Sequence, residues 1–167
     1  IKTDNKGCMD IKNLTETLDR CSIKNKNIFA IVATLGTTVR GAIDPIKEIS
    51  RICKERNIWL HIDGSIGGIF AITSIPIEGL KNVNQANSIT INPQKIIGIT
   101  KTSSLLLVSD MSTLENTFST GLPYISSNEN IINRGELGIQ GSRPAEVIKL
   151  WLGLRFLGLK GIEDILR

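Results

Sequence analysis

Apolar and polar positions follow two distinct rhythms along this chain. Residues 28–34, IFAIVAT, form an almost unbroken apolar run rich in strand formers. Such continuity predicts a strand buried on both faces, as in a parallel sheet. IWLHID at 58–63, SITI at 88–91 and SLLLV at 104–108 predict three more strands. Between the first two the rhythm becomes helical. Ile46, Ile49, Ile52 and Cys53 mark one face of a helix ending near residue 56, and Asp44-Pro45 reads as its N-cap and first position. Met9, Ile11, Leu14 and Leu18 mark a short amphipathic helix near the start. The stretch PAEVIKLWLGLRFLGL, 144–159, reads as a helix opened by Pro144 and weakened by Gly153 and Gly158. Its dense apolar content predicts substantial burial, in a core or at a subunit interface. Strand, helix, strand, connection, strand is the pattern of an α/β fold with a mainly parallel sheet and flanking helices.

Composition narrows the class. The 167 residues, 41% hydrophobic and 22% charged, suit a soluble globular domain. No apolar run reaches the roughly 18–20 residues a membrane span needs, and no signal peptide is visible, so a cytoplasmic protein without a membrane partner is expected. The net charge of +4 comes from 20 scattered basic residues against 16 acidic ones, with only 4% aromatics. That pattern gives no reason to expect a nucleic-acid partner. Cys8, Cys21 and Cys53 form no CxxC pair and read as reduced thiols. One histidine, His61, leaves no basis for a metal site. The opening residue is Ile rather than Met, which suggests an excerpt, a processed chain or an incomplete gene product.

The candidate chemistry sits at the strand ends. In open parallel α/β sheets, ligands bind outside the carboxyl ends of the strands. Thr34, Gly36, Thr37 and Thr38 follow the first strand; Asp63, Gly64 and Ser65 follow the second; Asn92, Gln94 and Lys95 follow the third. Parallel strands place all three clusters on one edge. Lys95 by itself reads as a surface charge. Beside a carboxylate, hydroxyls and amides it reads as a reactive amine. Pyridoxal 5'-phosphate needs such a lysine for its aldehyde, an anion beside its pyridine nitrogen, a small residue at the ring face and donors for its phosphate. Lys95, Asp63, Ser65 and Asn92 suit those roles respectively.

The segments ATLGTTVRGAIDPI, WLHIDGSIGG, SITINPQKIIG and GSRPAEVIKLWLGLRFLGLKGIE together resemble the group II pyridoxal-phosphate-dependent amino-acid decarboxylases. That family includes the glutamate, cysteine sulfinate, aromatic amino acid and diaminobutyrate decarboxylases. The family patterns are close to A-T-x-G-T-T, H-V-D-A-A, N-P-H-K and a later G-R followed by a helical tryptophan. The resemblance implies the large domain of the aspartate-aminotransferase-like fold, fold type I. It implies that Lys95 holds the cofactor, Asp63 pairs with the pyridine nitrogen, Asn92 lies near the phosphate and Thr34 near the ring. Gln94 stands where the family has histidine; its amide still donates to phosphate but carries no charge. Gly64-Ser65 stands where the family has Ala-Ala. Arg143 matches the arginine for the substrate carboxylate, and Tyr124 falls where a mobile-loop tyrosine returns a proton to Cα. His61 reads as a packed histidine rather than the family's ring-stacking one.

The expectation is therefore a partial large domain over 1–167, with 143–167 leading toward a small C-terminal domain. The whole protein is expected to be a homodimeric carboxy-lyase that converts an L-amino acid to its amine and carbon dioxide. A non-catalytic remnant of the same fold, or another fold-type I enzyme such as an aminotransferase, are the alternatives.

Overall fold

In a computed structural model, the structure describes residues 1–120 and 134–167. After helix α1, Ile11–Ile23, the chain enters strand β1, Ala30–Thr34, then helix α2, Ile46–Glu55, and strand β2, Trp59–Asp63. Two 3-10 segments, Gly67–Ile72 and Leu80–Gln85, lead to strand β3, Ser88–Ile91. A one-turn helix α3, Pro93–Ile96, precedes strand β4, Leu105–Val108, and helix α4, Ser112–Phe118. Helix α5, Glu146–Leu166, closes the chain.

The four strands form one sheet in the order β1-β2-β3-β4. The first three are parallel and β4 returns antiparallel to β3. The β3–β4 connection, residues 92–104, holds only the single turn α3 and no crossover helix of the kind that usually joins parallel strands. Helices α1 and α2 cover one face of the sheet. Leu14, Leu18, Ile46, Ile49 and Ile52 meet Ile31, Ala33, Leu60 and Ile62 there. A second cluster joins Ile69, Ile91, Ile97, Ile99 and Ile162.

Three expectations change. The run 28–34 is not buried on both faces: β1 starts at Ala30, Ile31 and Ala33 are buried, but Val32 is 54% exposed. It is an edge strand, and α2 packs on one side only. Helix α5 extends to Leu166 and changes direction at Gly158, whose φ of 60° and ψ of 174° are not helical. Its apolar stripe stands largely open: among its residues only Leu150 and Ile162 are buried, and Phe156 is 90% exposed. Gly153 serves a close approach, because a Cβ there would run into Ile99.

Asp44 is not an N-cap. Helix α2 starts after Pro45 with no side-chain cap, and the Asp44 carboxylate turns back to the sheet. Its oxygens accept the Met9 N–H at 2.6 Å and the Thr34 N–H at 2.7 Å. It thereby ties the N-terminal segment to the carboxyl end of β1. Asp44→Ala leaves both N–H groups without an acceptor and should lower stability by about 2–4 kcal/mol. Asp44→Asn keeps one acceptor and should recover part of the loss, as urea unfolding of the two variants would show.

Candidate active site

The register of the parallel strands builds the site edge. Thr34 lies opposite Asp63, and Asp63 opposite Thr90, so the three form a row across β1, β2 and β3. Partners in register project to the same face of the sheet. The row sits on the face away from α2, at the carboxyl ends of the strands. The turns beyond it are stitched together. Leu35 N–H donates to the Asp63 carbonyl at 2.9 Å, and Gly67 N–H to the Leu35 carbonyl at 2.9 Å. Gly67 must be glycine here, since a Cβ would strike the Leu35 carbonyl. Gly36, at φ 90°, packs against it in a backbone conformation open to glycine. Asn92 N–H donates to the Ser65 carbonyl at 3.3 Å, which brings the end of β3 to the same place. The three clusters expected on one edge are on one edge.

Asp63 is held as an anion. The Ser65 hydroxyl and the Ser65 N–H, the latter at 3.0 Å, donate to its carboxylate and draw its pKa below the ordinary aspartate value against partial burial. The positive charge of Lys95 acts in the same direction, followed by that of His61. Because the folded value is depressed, this contribution to stability is present above the unfolded pKa and is lost as pH falls through the folded one. Ser65→Ala removes the hydroxyl that does most to lower this pKa, so the Asp63 carboxyl should titrate at higher pH than in the parent. A 13C-carboxyl NMR titration would measure the upward shift, and an unchanged midpoint would contradict this account.

Lys95 projects from α3 and is exposed. The turn forms because Asn92 leaves strand geometry and Pro93 follows at the first helical position, where its missing N–H is no loss. Pro93 is buried and anchors the turn. Lys95 N–H closes it on the Asn92 carbonyl at 3.0 Å. Two neighbours missed in the sequence brace it. Ser103 N–H donates to Gln94 Oε1 at 2.6 Å, and Ser104 Oγ to Asn92 Oδ1 at 2.6 Å. The only advance sign was a Ser-Ser pair before the fourth apolar run.

His61 is packed into the sheet. Its Nδ1 lies 2.8 Å from Ser88 Oγ and its Nε2 3.2 Å from Thr90 Oγ1. The Trp59 indole N–H donates to the same Ser88 hydroxyl at 2.9 Å. Arg143 is exposed, and its Nη2 donates to the Arg134 carbonyl at 2.6 Å. This bond runs to its own segment, not to the Asp63–Lys95 edge. Tyr124 lies outside the described residues. A cavity of about 380 Å³, lined by Cys53, Leu60 and Asn87 among others, opens at the opposite, amino edge of the strands and is separate from this row.

Known proteins resemble this chain over almost its whole length. Among solved structures, mouse CSAD superposes with a TM-score of 0.86 at 27% identity, covering 98% of this chain and 35% of that one. The acidic amino acid decarboxylase GADL1 of Mus musculus is 31% identical over 169 residues, which cover 98% of this chain and 31% of the relative. The human GADL1 gives 31% identity and 32% coverage of its length. The chain thus spans about a third of the length of the curated relatives it matches. The fold is that of the fold-type I pyridoxal-dependent decarboxylases, with a mostly parallel sheet and flanking helices. The family model described as the pyridoxal-dependent decarboxylase conserved domain matches residues 1–167, and the chain belongs to that family.

Proposed function

We propose that this chain is the central part of the large domain of a pyridoxal 5'-phosphate-dependent amino-acid decarboxylase, with 143–167 leading toward a small C-terminal domain. The observation that carries the reading is the shared carboxyl edge: Asp63 stands in register with Thr34 and Thr90, and the turn that bears Lys95 is tied to the same edge by the Asn92 N–H bond to the Ser65 carbonyl. The donor set fits the cofactor. It offers an amine, a carboxylate kept ionised, hydroxyls in the same row and two side-chain amides beside the lysine.

When bound, the cofactor supplies a protonated ring that takes up the electron pair left on Cα as carbon dioxide departs. The protein's part follows from its residues. Lys95 would anchor the aldehyde through its amine and release it when the substrate amine arrives. Asp63 would hold the proton on the pyridine nitrogen; an adjacent anion raises such a pKa by about 1–3 units. Thr34 and Ser65 would border the ring, while Asn92 and Gln94 donate amide N–H groups to the phosphate. Arg143 would bind the substrate carboxylate. Tyr124 would return a proton to Cα. The substrate is an L-amino acid, and the products are the amine and carbon dioxide.

The open stripe on α5 and the exposed face of β1 fit a homodimer in the full-length protein. No helix among the described residues is long and apolar enough to cross a membrane. A cytoplasmic location is part of the same reading. The test is release of carbon dioxide by the purified full-length protein. L-glutamate, cysteine sulfinate, diaminobutyrate and aromatic amino acids would be supplied in turn with the cofactor. Release from one of them supports the enzyme. Cofactor uptake without release from any would point to a non-catalytic remnant, and amine transfer to an oxo-acid would point to an aminotransferase.

A further inference from the structure

Two amides precede the lysine in the turn after β3, and both have their oxygens engaged. A backbone N–H can only donate, so the 2.6 Å bond from Ser103 fixes Gln94 with Oε1 toward residue 103. The Ser104 hydroxyl, on the next residue, donates to Asn92 Oδ1 at 2.6 Å. An amide with its oxygen held presents its NH₂ on the other arm. Among the described residues no protein acceptor takes Asn92 Nδ2 or Gln94 Nε2. The pair therefore offers donors to a ligand while its acceptors face the protein. That polarity selects anions, and Gln94 maintains it without a charge of its own.

Resting on the cofactor reading above, we propose that Ser103 and Ser104 form a brace that orients the Asn92 and Gln94 amides as donors to the cofactor's phosphate. Ser104 is a positioning residue. It is exposed, acts through Asn92, and can be changed without disturbing the core. Gln94 carries the second donor.

The experiment compares two ligands, pyridoxal 5'-phosphate and pyridoxal, which differ in the phosphate. The apo form of the full-length protein is titrated with each while tryptophan fluorescence is followed. Ser104→Ala should weaken the phosphorylated ligand about tenfold and leave pyridoxal within about twofold. Ser104→Thr keeps the hydroxyl and should restore parent affinity. Gln94→Glu keeps an acceptor for Ser103 but replaces the donor with a negative charge. It should weaken the phosphorylated ligand by tenfold or more, again about the size of one lost hydrogen bond to a charged group, and spare pyridoxal. Equal losses for both ligands would reduce Ser104 to a structural role and overturn the brace. Unchanged affinity for both would do the same. If the parent protein binds neither ligand, the cofactor reading itself fails. If it binds both and the variants lose no selectivity, that reading stands and only the brace falls.

Discussion

Lys95→Ala, in the full-length protein with its cofactor, is expected to lower turnover by at least about a thousandfold, the scale of removing a group that takes part directly in bond making and proton transfer. The loss should not come from unfolding. The Lys95 side chain is exposed, and the turn that carries it is fixed by buried Pro93, by Asn92 and by Gln94. Alanine also suits a helical turn. Urea unfolding should therefore be close to the parent's while turnover is lost. Lys95→Arg separates the two properties of lysine. Arginine keeps the positive charge near Asp63 but stays protonated and has no free amine to offer. It should fail as badly as alanine. Activity surviving in the arginine variant would mean that Lys95 acts as a charge and not as a nucleophile.

Asp63→Ala is expected to lower turnover by about a hundredfold to a thousandfold, in the range found when a charge-stabilising group is removed from an active site. It should weaken cofactor binding as well. The residue does two jobs here. Its carboxylate is the anion of the row Thr34–Asp63–Thr90, and it accepts the Ser65 hydrogen bonds that shape the turn after β2. Asp63→Asn keeps an acceptor for Ser65 while removing the charge, so it tests the electrostatic job with the turn intact. If the asparagine variant turns over normally, the charge at Asp63 is dispensable and the ring-nitrogen role is wrong. Asp63→Glu should fall between parent and alanine.

The sheet was legible because its signals are local. Apolar runs at 58–63 and 88–91 and the helical spacing of Ile46, Ile49, Ile52 and Cys53 each identify an element without reference to the rest of the chain. The shared edge followed from parallel order alone. What failed to show depends on contacts between distant residues. Asp44 before Pro45 looks like a cap, yet its partners lie 35 and 10 residues away. Nothing near Asp44 marks Met9 or Thr34 as needing an acceptor. The burial of α5 was read from its own composition, whereas burial depends on what packs against it. Gly153 looked like a helix weakener and proves to be the point where α5 meets Ile99. The Ser103–Ser104 brace was invisible for a related reason: its bonds reach back 9 and 12 residues across a connection with no periodicity. The roles of Lys95 and Asp63 came from residue chemistry at strand ends. Those of Arg143 and Tyr124 came from resemblance alone; the described hydrogen bond of Arg143 runs to Arg134, and Tyr124 lies outside the described residues.

The central claim is that one lysine of this chain, Lys95, carries the cofactor. Borohydride reduction of the cofactor-loaded full-length protein, followed by proteolysis and peptide mapping, addresses it most directly. A single pyridoxyl-modified peptide from this region is expected, spanning Asn92-Pro93-Gln94-Lys95, with the modification on Lys95. A stable adduct on Lys101, or a loaded protein in which Lys95 is recovered unmodified, would contradict it.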